Sequence, residues 1–149
     1  MSSDPRKWNI YIPVRPKAVQ SVRACRGHFF PDHKVREWKA AIRPYIEDAC
    51  GGDPPTTNPL KINRLVYTFK YPKSLTRAEK EAINSGATIP YIGTADITDN
   101  LAKGLIDTCA GLVFVNDKLI WHMGSVSKVY GPVDAMEIEF EETPDVILL

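Results

Sequence analysis

The stretch from Asp96 to Asp117, DITDNLAKGLIDTCAGLVFVND, constrains the fold more than any other part of the chain. Apolar residues recur in it at three- and four-residue steps, which predicts an amphipathic helix. The apolar face consists of Leu101, Leu105, Ile106 and Ala110. Asp96 or Thr98 can cap the first turn, and Gly111 ends the helix because glycine takes the left-handed conformation at low cost. The run LVFV then predicts a short buried strand.

Acidic side chains lie at both ends of this predicted helix–strand unit. Asp96 and Asp99 precede the helix, and Asp117 follows the strand. If the strand packs beside the helix start, the three carboxylates converge, and a cation between them relieves their repulsion. Oxygen ligands suit Mg²⁺, and Lys103, one turn after Asp99, would offset charge on a bound phosphate. The alternative is that the acids only cap the helix and form a turn.

The same stretch resembles the signature of the RusA family of crossover-junction (Holliday junction) endodeoxyribonucleases, which are commonly phage- or prophage-borne. The family pattern is D-x-D-N-L-x-K, then an aspartate and a glycine in the helix, then a D-D pair. The matching positions are Asp99, Asn100, Leu101, Lys103, Asp107, Gly111 and Asp117. Ile97 stands at the first aspartate of the pattern, and Asn116 stands first in the pair. Thr94 and Ala95 replace a basic residue and a proline.

The resemblance implies an endonuclease that resolves Holliday junctions and other branched DNA by paired phosphodiester hydrolysis, in recombination and repair. It would depend on Mg²⁺, with Mn²⁺ able to substitute. RusA-like enzymes act as symmetric homodimers, which suits a twofold four-way junction.

The resemblance also assigns roles to single residues. Asp96, Asp99 and Asp117 would be the catalytic metal ligands, and Lys103 the catalytic residue that faces the phosphate. Two amides, Asn100 and Asn116, would orient the ligands. Asp96 would take the place of the missing first aspartate, while the side chain of Ile97 is expected in the core.

Residues 13–27 form a predicted basic arm. Its cations, with no acid among them, are Arg15, Lys17, Arg23 and Arg26. Such a run is either a solvated loop or an arm laid along a DNA backbone. RusA-like proteins begin with a similar basic segment, which favours DNA binding. Lys118 and Lys128 could face the same groove as the acidic residues.

The charge of the chain is unevenly distributed, although the net charge is only +1. Five acidic residues and no Lys or Arg lie from Met136 to the end. Removing those five from the 18 acidic residues leaves 13 against 19 basic ones, so residues 1–135 carry about +6. This excess is compatible with a nucleic-acid partner but is weak support for one.

The rest of the pattern predicts one α+β (mixed α/β) domain over residues 1–149, with helices packed on a mixed sheet. The predicted elements are a strand at 8–12, a helix from Pro31 broken or kinked at Pro44, a strand at 60–71, and a short helix after Thr76. A β-hairpin across Gly131 and an acidic, apolar tail at about 141–149 complete it.

No apolar run is long enough for a membrane span, and the N-terminal residues lack the apolar core of a signal peptide. We therefore expect a cytoplasmic protein, in a bacterial cell or a phage-infected host. The three cysteines are expected to be free thiols. Two other functions stay open. The departures from the family pattern suit a catalytically impaired branched-DNA-binding protein, and the acidic strand with the apolar tail suits a small protein-interaction domain.

Overall fold

A computed structural model of the chain describes residues 4–19, 23–25, 28–30, 33–93, 97, 100–147 and 149. The long strands are β1 (Lys7–Ile12), β4 (Leu60–Lys70), β5 (Ile120–Gly131) and β6 (Ala135–Glu142). They form one mixed sheet in the order β1–β6–β4–β5. The helices are α1 (His33–Cys50), α2 (Arg77–Asn84) and α3 (Asn100–Cys109). A separate antiparallel pair, β2 (Arg23–Cys25) and β3 (His28–Phe30), precedes α1. These elements confirm the α+β class.

Side-chain alternation decides which face of the sheet is buried. In β1 the residues Trp8, Ile10 and Ile12 are buried and their neighbours are exposed, as predicted. The β6 face of Met136, Ile138 and Phe140 belongs to the same core. Successive residues of a strand point to opposite faces, so one face of the sheet packs against the helices while the other remains polar.

The predicted β5–β6 hairpin is wrong, because β4 lies between the two strands. β5 runs parallel to β4, with Leu65 opposite Val126, and β6 runs antiparallel along the other side, with Leu65 opposite Ile138. The link 132–134 therefore crosses the end of β4, where Asp134 Oδ1 accepts a hydrogen bond from the Lys70 amide at 2.7 Å. Two strand spacings are about 10 Å, a distance that three extended residues can span.

Helix α1 continues through Pro44 to Cys50, so the early break expected at Pro44 is wrong. Its buried stripe is Trp38, Ile42, Ile46 and Cys50. These apolar contacts outweigh the one backbone hydrogen bond that a proline removes.

The strand predicted for LVFV is also wrong. After α3 the chain turns tightly, with Gly111 at φ 84° and its amide donating to the Phe114 carbonyl at 2.7 Å. The amides of Leu112 and Val113 donate to the Cys109 carbonyl. These bonds leave a single bridge to another segment, between Phe114 and Thr56. Val113 and Phe114 are nevertheless fully buried.

Glu142 ties the end of β6 to two other segments. Its carboxylate accepts hydrogen bonds from the Arg6 amide at 2.8 Å, from Asn58 Nδ2 at 3.1 Å and from the Thr56 hydroxyl. Burial disfavours the charged carboxylate, but these hydrogen bonds outweigh that effect, and the net pKa of Glu142 is lowered. Glu141 and Glu142 thus belong to β6, so the predicted tail begins only at Thr143.

Burial of the cysteines fits the expectation of free thiols. Cys50 and Cys109 are unpaired and buried. Desolvation raises the pKa of both thiols, and the Cys109 side chain is fully enclosed. Cys25 belongs to β2, and its side chain lies outside the described part. In that part, none of the helices is long and apolar enough to cross a bilayer.

Candidate functional site

Helix α3 presents Lys103 to solvent from an otherwise buried turn. Leu101 and Leu105 are buried, whereas Lys103 is exposed, as the 3.6-residue period predicts. At Gly104 an added Cβ would lie 2.4 Å from Val19 Cγ2 and 2.9 Å from the ring of Trp38. The N-terminal arm therefore crosses α3 directly beside Lys103, at a position where only glycine leaves room.

An aromatic pair connects this arm to the segment that leads into the acidic cluster. Phe69 and Tyr91 stack with ring centroids 3.8 Å apart. The Arg15 guanidinium lies 5.2 Å from the Phe69 centroid, and Lys128 Nζ lies 5.7 Å from that of Tyr91. Lys128 Nζ also reaches the Gly93 carbonyl at 3.5 Å. Two of the predicted DNA-binding residues, Arg15 and Lys128, therefore each lie beside one ring of this pair, and Lys128 also contacts the segment before Asp96.

The two acids predicted at the start of α3, Asp96 and Asp99, lie outside the described residues, as does the side chain of Asn100. Their convergence thus stays a prediction. Ile97 between them is described: it is half-buried and packs against the hydrophobic core. This confirms that the residue at the family's first aspartate position serves the core.

Asp117 begins a 3₁₀ helix, Asp117–Leu119, that leads into β5. Asn116 caps this helix, because its Oδ1 accepts a hydrogen bond from the Lys118 amide at 2.9 Å. Asp117 and Lys118 are both exposed. The Asn116 amide oxygen is therefore used by the backbone, while the carboxylate of Asp117 faces solvent.

In the sequence, the predicted acidic residues lie before and after α3. Asp99 directly precedes Asn100, whereas the turn after Gly111 holds Phe114 beside Ala110, at the C-terminal end. Ten residues of helix measure about 15 Å. The sequence analysis expected the carboxylates to converge because the LVFV strand would end beside the start of the helix. The described part of the chain contains no such strand.

The donor set suits a hard divalent cation, since carboxylate oxygens are the ligands that Mg²⁺ prefers. Asp117 offers an exposed carboxylate for that purpose. Within the described residues, however, no group of three His, Cys, Asp or Glu side chains could hold a metal ion. That Asp96 and Asp99 complete a magnesium site with Asp117 therefore stays a prediction.

The remaining predicted DNA-binding residues are spread along the arm. Arg15 is exposed and forms an ion pair with Asp134 at 3.1 Å, and Lys17 is half-buried. The side chains of Arg23 and Arg26 lie outside the described part. The structure also shows that Phe69 stacks on Tyr91, a contact that strand and loop patterns alone do not predict.

A small α+β domain with the exposed basic side chains of Arg15 and Lys103, and with acidic residues directly before α3 in the sequence, has the features of a protein that acts on nucleic acid. A family model for RusA endodeoxyribonucleases matches residues 12–141. The chain belongs to this family, and the resemblance seen in the sequence is confirmed. Membership supports a nuclease of the Holliday junction-resolving kind with branched DNA as its substrate. No curated protein matches the chain.

Proposed function

We propose that this protein is a Mg²⁺-dependent endonuclease that resolves four-way DNA junctions by paired phosphodiester hydrolysis, in recombination and repair. The family match supports the reaction class. The single observation that carries the proposal for this chain is the position of Lys128. Its ammonium group contacts the Gly93 carbonyl, and Asp96 follows three residues later in the sequence, which supports a cationic group close to the acidic segment.

Each residue then has a limited task. Asp96, Asp99 and Asp117 would hold Mg²⁺, which supplies positive charge to the scissile phosphate when bound. Lys103 offsets the negative charge that develops on that phosphate as the bond breaks. Arg15 and Lys128 hold the strand on either side by its phosphates, which positions the DNA without reading its sequence.

We propose further that two copies of the chain complete each site. Asp99 precedes α3 and Asp117 follows the turn after it, so a helix about 15 Å long lies between them in the chain. A twofold partner would bring its own Asp117 to the Asp96–Asp99 segment of the first copy. The two resulting sites would then face strands of like polarity in a twofold junction.

A labelled synthetic four-way junction, incubated with and without Mg²⁺, tests the proposal. The protein is expected to retard the junction in a gel without metal and to cut two opposed strands when Mg²⁺ is added. Retardation without any cut, at every Mg²⁺ and Mn²⁺ concentration, would instead identify a branched-DNA-binding protein.

The packing of Ile97 specifically favours that second candidate. The residue at the family's first aspartate position is turned into the core, so the site has one ligand fewer unless Asp96 replaces it. Changing Asp96 to Asn separates the two cases. A loss of cutting shows that Asp96 serves as the replacement ligand.

A further inference from the structure

The groove between α1 and α3 holds a second group of cationic side chains, apart from the candidate site. It encloses about 320 Å³ and is lined by Lys39, Ala40, Arg43, Asp107, Thr108 and Ala110. Lys39 and Arg43 are four residues apart on α1, so their side chains project to the same side. Alanines at two positions of the lining keep the wall low beside these cations.

This groove continues the face of α3 that carries Lys103. Lys103 and Asp107 are four residues apart, so their Cβ atoms lie about 6 Å from each other along α3. Asp107 Oδ2 lies 3.9 Å from Lys39 Nζ on the neighbouring helix. Lys103, Asp107 and Lys39 therefore form a line across two helices, which Arg43 extends by one turn.

Both cations are held by exposed ion pairs that another anion can replace. In the Lys39–Asp107 pair the side chains are 34% and 40% exposed, and pairs of this kind contribute only about 0–1 kcal/mol. Arg43 Nε donates to Glu47 at 2.6 Å. That bond uses one of the five N–H donors of the guanidinium.

We propose that Lys39 and Arg43 bind a backbone phosphate of the DNA strand next to the phosphate that Lys103 faces. Asp107 neutralises Lys39 in the free protein, and the phosphate displaces it. A phosphodiester suits the groove because its oxygens accept hydrogen bonds from a lysine and an arginine at once. This inference rests on the proposed function, since it extends the contact with DNA from α3 onto α1.

The test uses the whole protein and a fluorescent four-way junction without divalent metal, so that binding is measured without cutting. Lys39→Gln and Arg43→Gln are each expected to weaken binding by about 3- to 10-fold. Because the two side chains share one phosphate, each variant should also lower the magnitude of the slope of log K against log salt, by up to about 0.9, the value for one lost phosphate contact. Circular dichroism checks that the variants are folded.

Arg77→Gln is the matched control. Arg77 pairs with Glu81 four residues later on α2, through Nε at 3.2 Å, as Arg43 pairs with Glu47. The substitution removes the same charge from the same kind of pair, yet it should leave affinity and salt slope unchanged.

Asp107→Asn is expected to tighten binding about twofold or more, because it frees Lys39. That gain should vanish in the Lys39→Gln background.

The outcomes separate this inference from the proposed function. If the wild-type protein retards the junction and Lys39→Gln and Arg43→Gln bind with its affinity and salt slope, the phosphate site is overturned while the proposed function stands. An equal loss in Arg77→Gln also overturns it, since general charge would then explain the effect. A wild-type protein that binds no junction refutes both.

Discussion

At the scale of single residues, the role proposed for Asp99 is the one that a substitution tests most directly. It precedes α3 and matches the second aspartate of the family pattern. Asp99→Asn should abolish cutting of a four-way junction while junction binding survives, because it removes a ligand charge and also reduces repulsion toward DNA. Cleavage gels and gel shifts on the same samples measure both effects. Asp48→Asn, an exposed site on α1, is the control. Undiminished cutting by Asp99→Asn would end the assignment.

Residue positions were predictable wherever one element determines them. The helical period alone exposes Lys103 and buries Leu105, and strand alternation alone buries Ile10. The Lys39–Asp107 pair was not predictable, because it depends on how two helices pack. The only sequence signal for that groove is the four-residue spacing of Lys39 and Arg43.

At the scale of elements, Gly104 tests how the arm meets α3. Alanine usually stabilises a helix relative to glycine by about 1 kcal/mol. Here the new methyl group would meet Val19 at 2.4 Å, so Gly104→Ala should lower the free energy of unfolding by about 1–3 kcal/mol. Urea denaturation measures the change. Val19→Ala in the same chain should restore part of it. A more stable Gly104→Ala protein would contradict the described packing.

Glu142 predicts a pH dependence for the attachment of β6. Its pKa is lowered in the folded protein, so its contribution is complete above the unfolded pKa of about 4.3 and is lost as the pH falls through the folded value. Glu142→Gln should cost about 1–3 kcal/mol at pH 7, because it disrupts the buried hydrogen bonds.

Stability at acidic pH distinguishes the hydrogen-bonding role of Glu142 from a general effect of its negative charge. The stability gap between wild type and Glu142→Gln should shrink as the pH falls below the unfolded pKa and through the lowered pKa of the folded protein, because the wild-type carboxylate then also becomes protonated. Glu139→Gln on the same strand is the control and should change stability little. Urea midpoints at several pH values give the comparison, and a gap that is constant with pH would refute the proposed hydrogen-bond network.

The predictions of a β5–β6 hairpin and of an LVFV strand were wrong, because a local sequence pattern does not determine which segments pair. Strands β5 and β6 are adjacent in sequence, but β4 gains a partner on both edges by lying between them. The LVFV run has strand composition, yet the amides of Leu112 and Val113 donate to the Cys109 carbonyl at the end of α3. Apolar composition predicted the burial of Val113 and Phe114 correctly, whereas the turn after α3 decided their backbone conformation, and long-range pairing decided the order of β5 and β6.

At the scale of the whole molecule, the proposed dimer makes a prediction about mixed variants. Asp99→Asn and Asp117→Asn should each be inactive alone. If each site takes Asp99 from one copy and Asp117 from the other, a mixed dimer contains one intact site. Mixing the two variants should therefore restore nicking of one strand, without paired cuts. If each chain builds its own site, the mixture stays inactive, and the shared-site proposal fails.

In the proposed function, Asp96, Asp99 and Asp117 hold the Mg²⁺ ion at which branched DNA is cut, and basic side chains hold the DNA beside it. The most direct measurement is the strand-resolved cleavage of a labelled four-way junction by the wild-type protein in Mg²⁺. Two cuts, placed symmetrically in opposed strands, are expected, and none when the metal is chelated. An intact junction at every Mg²⁺ and Mn²⁺ concentration, with folded protein in excess, would contradict it.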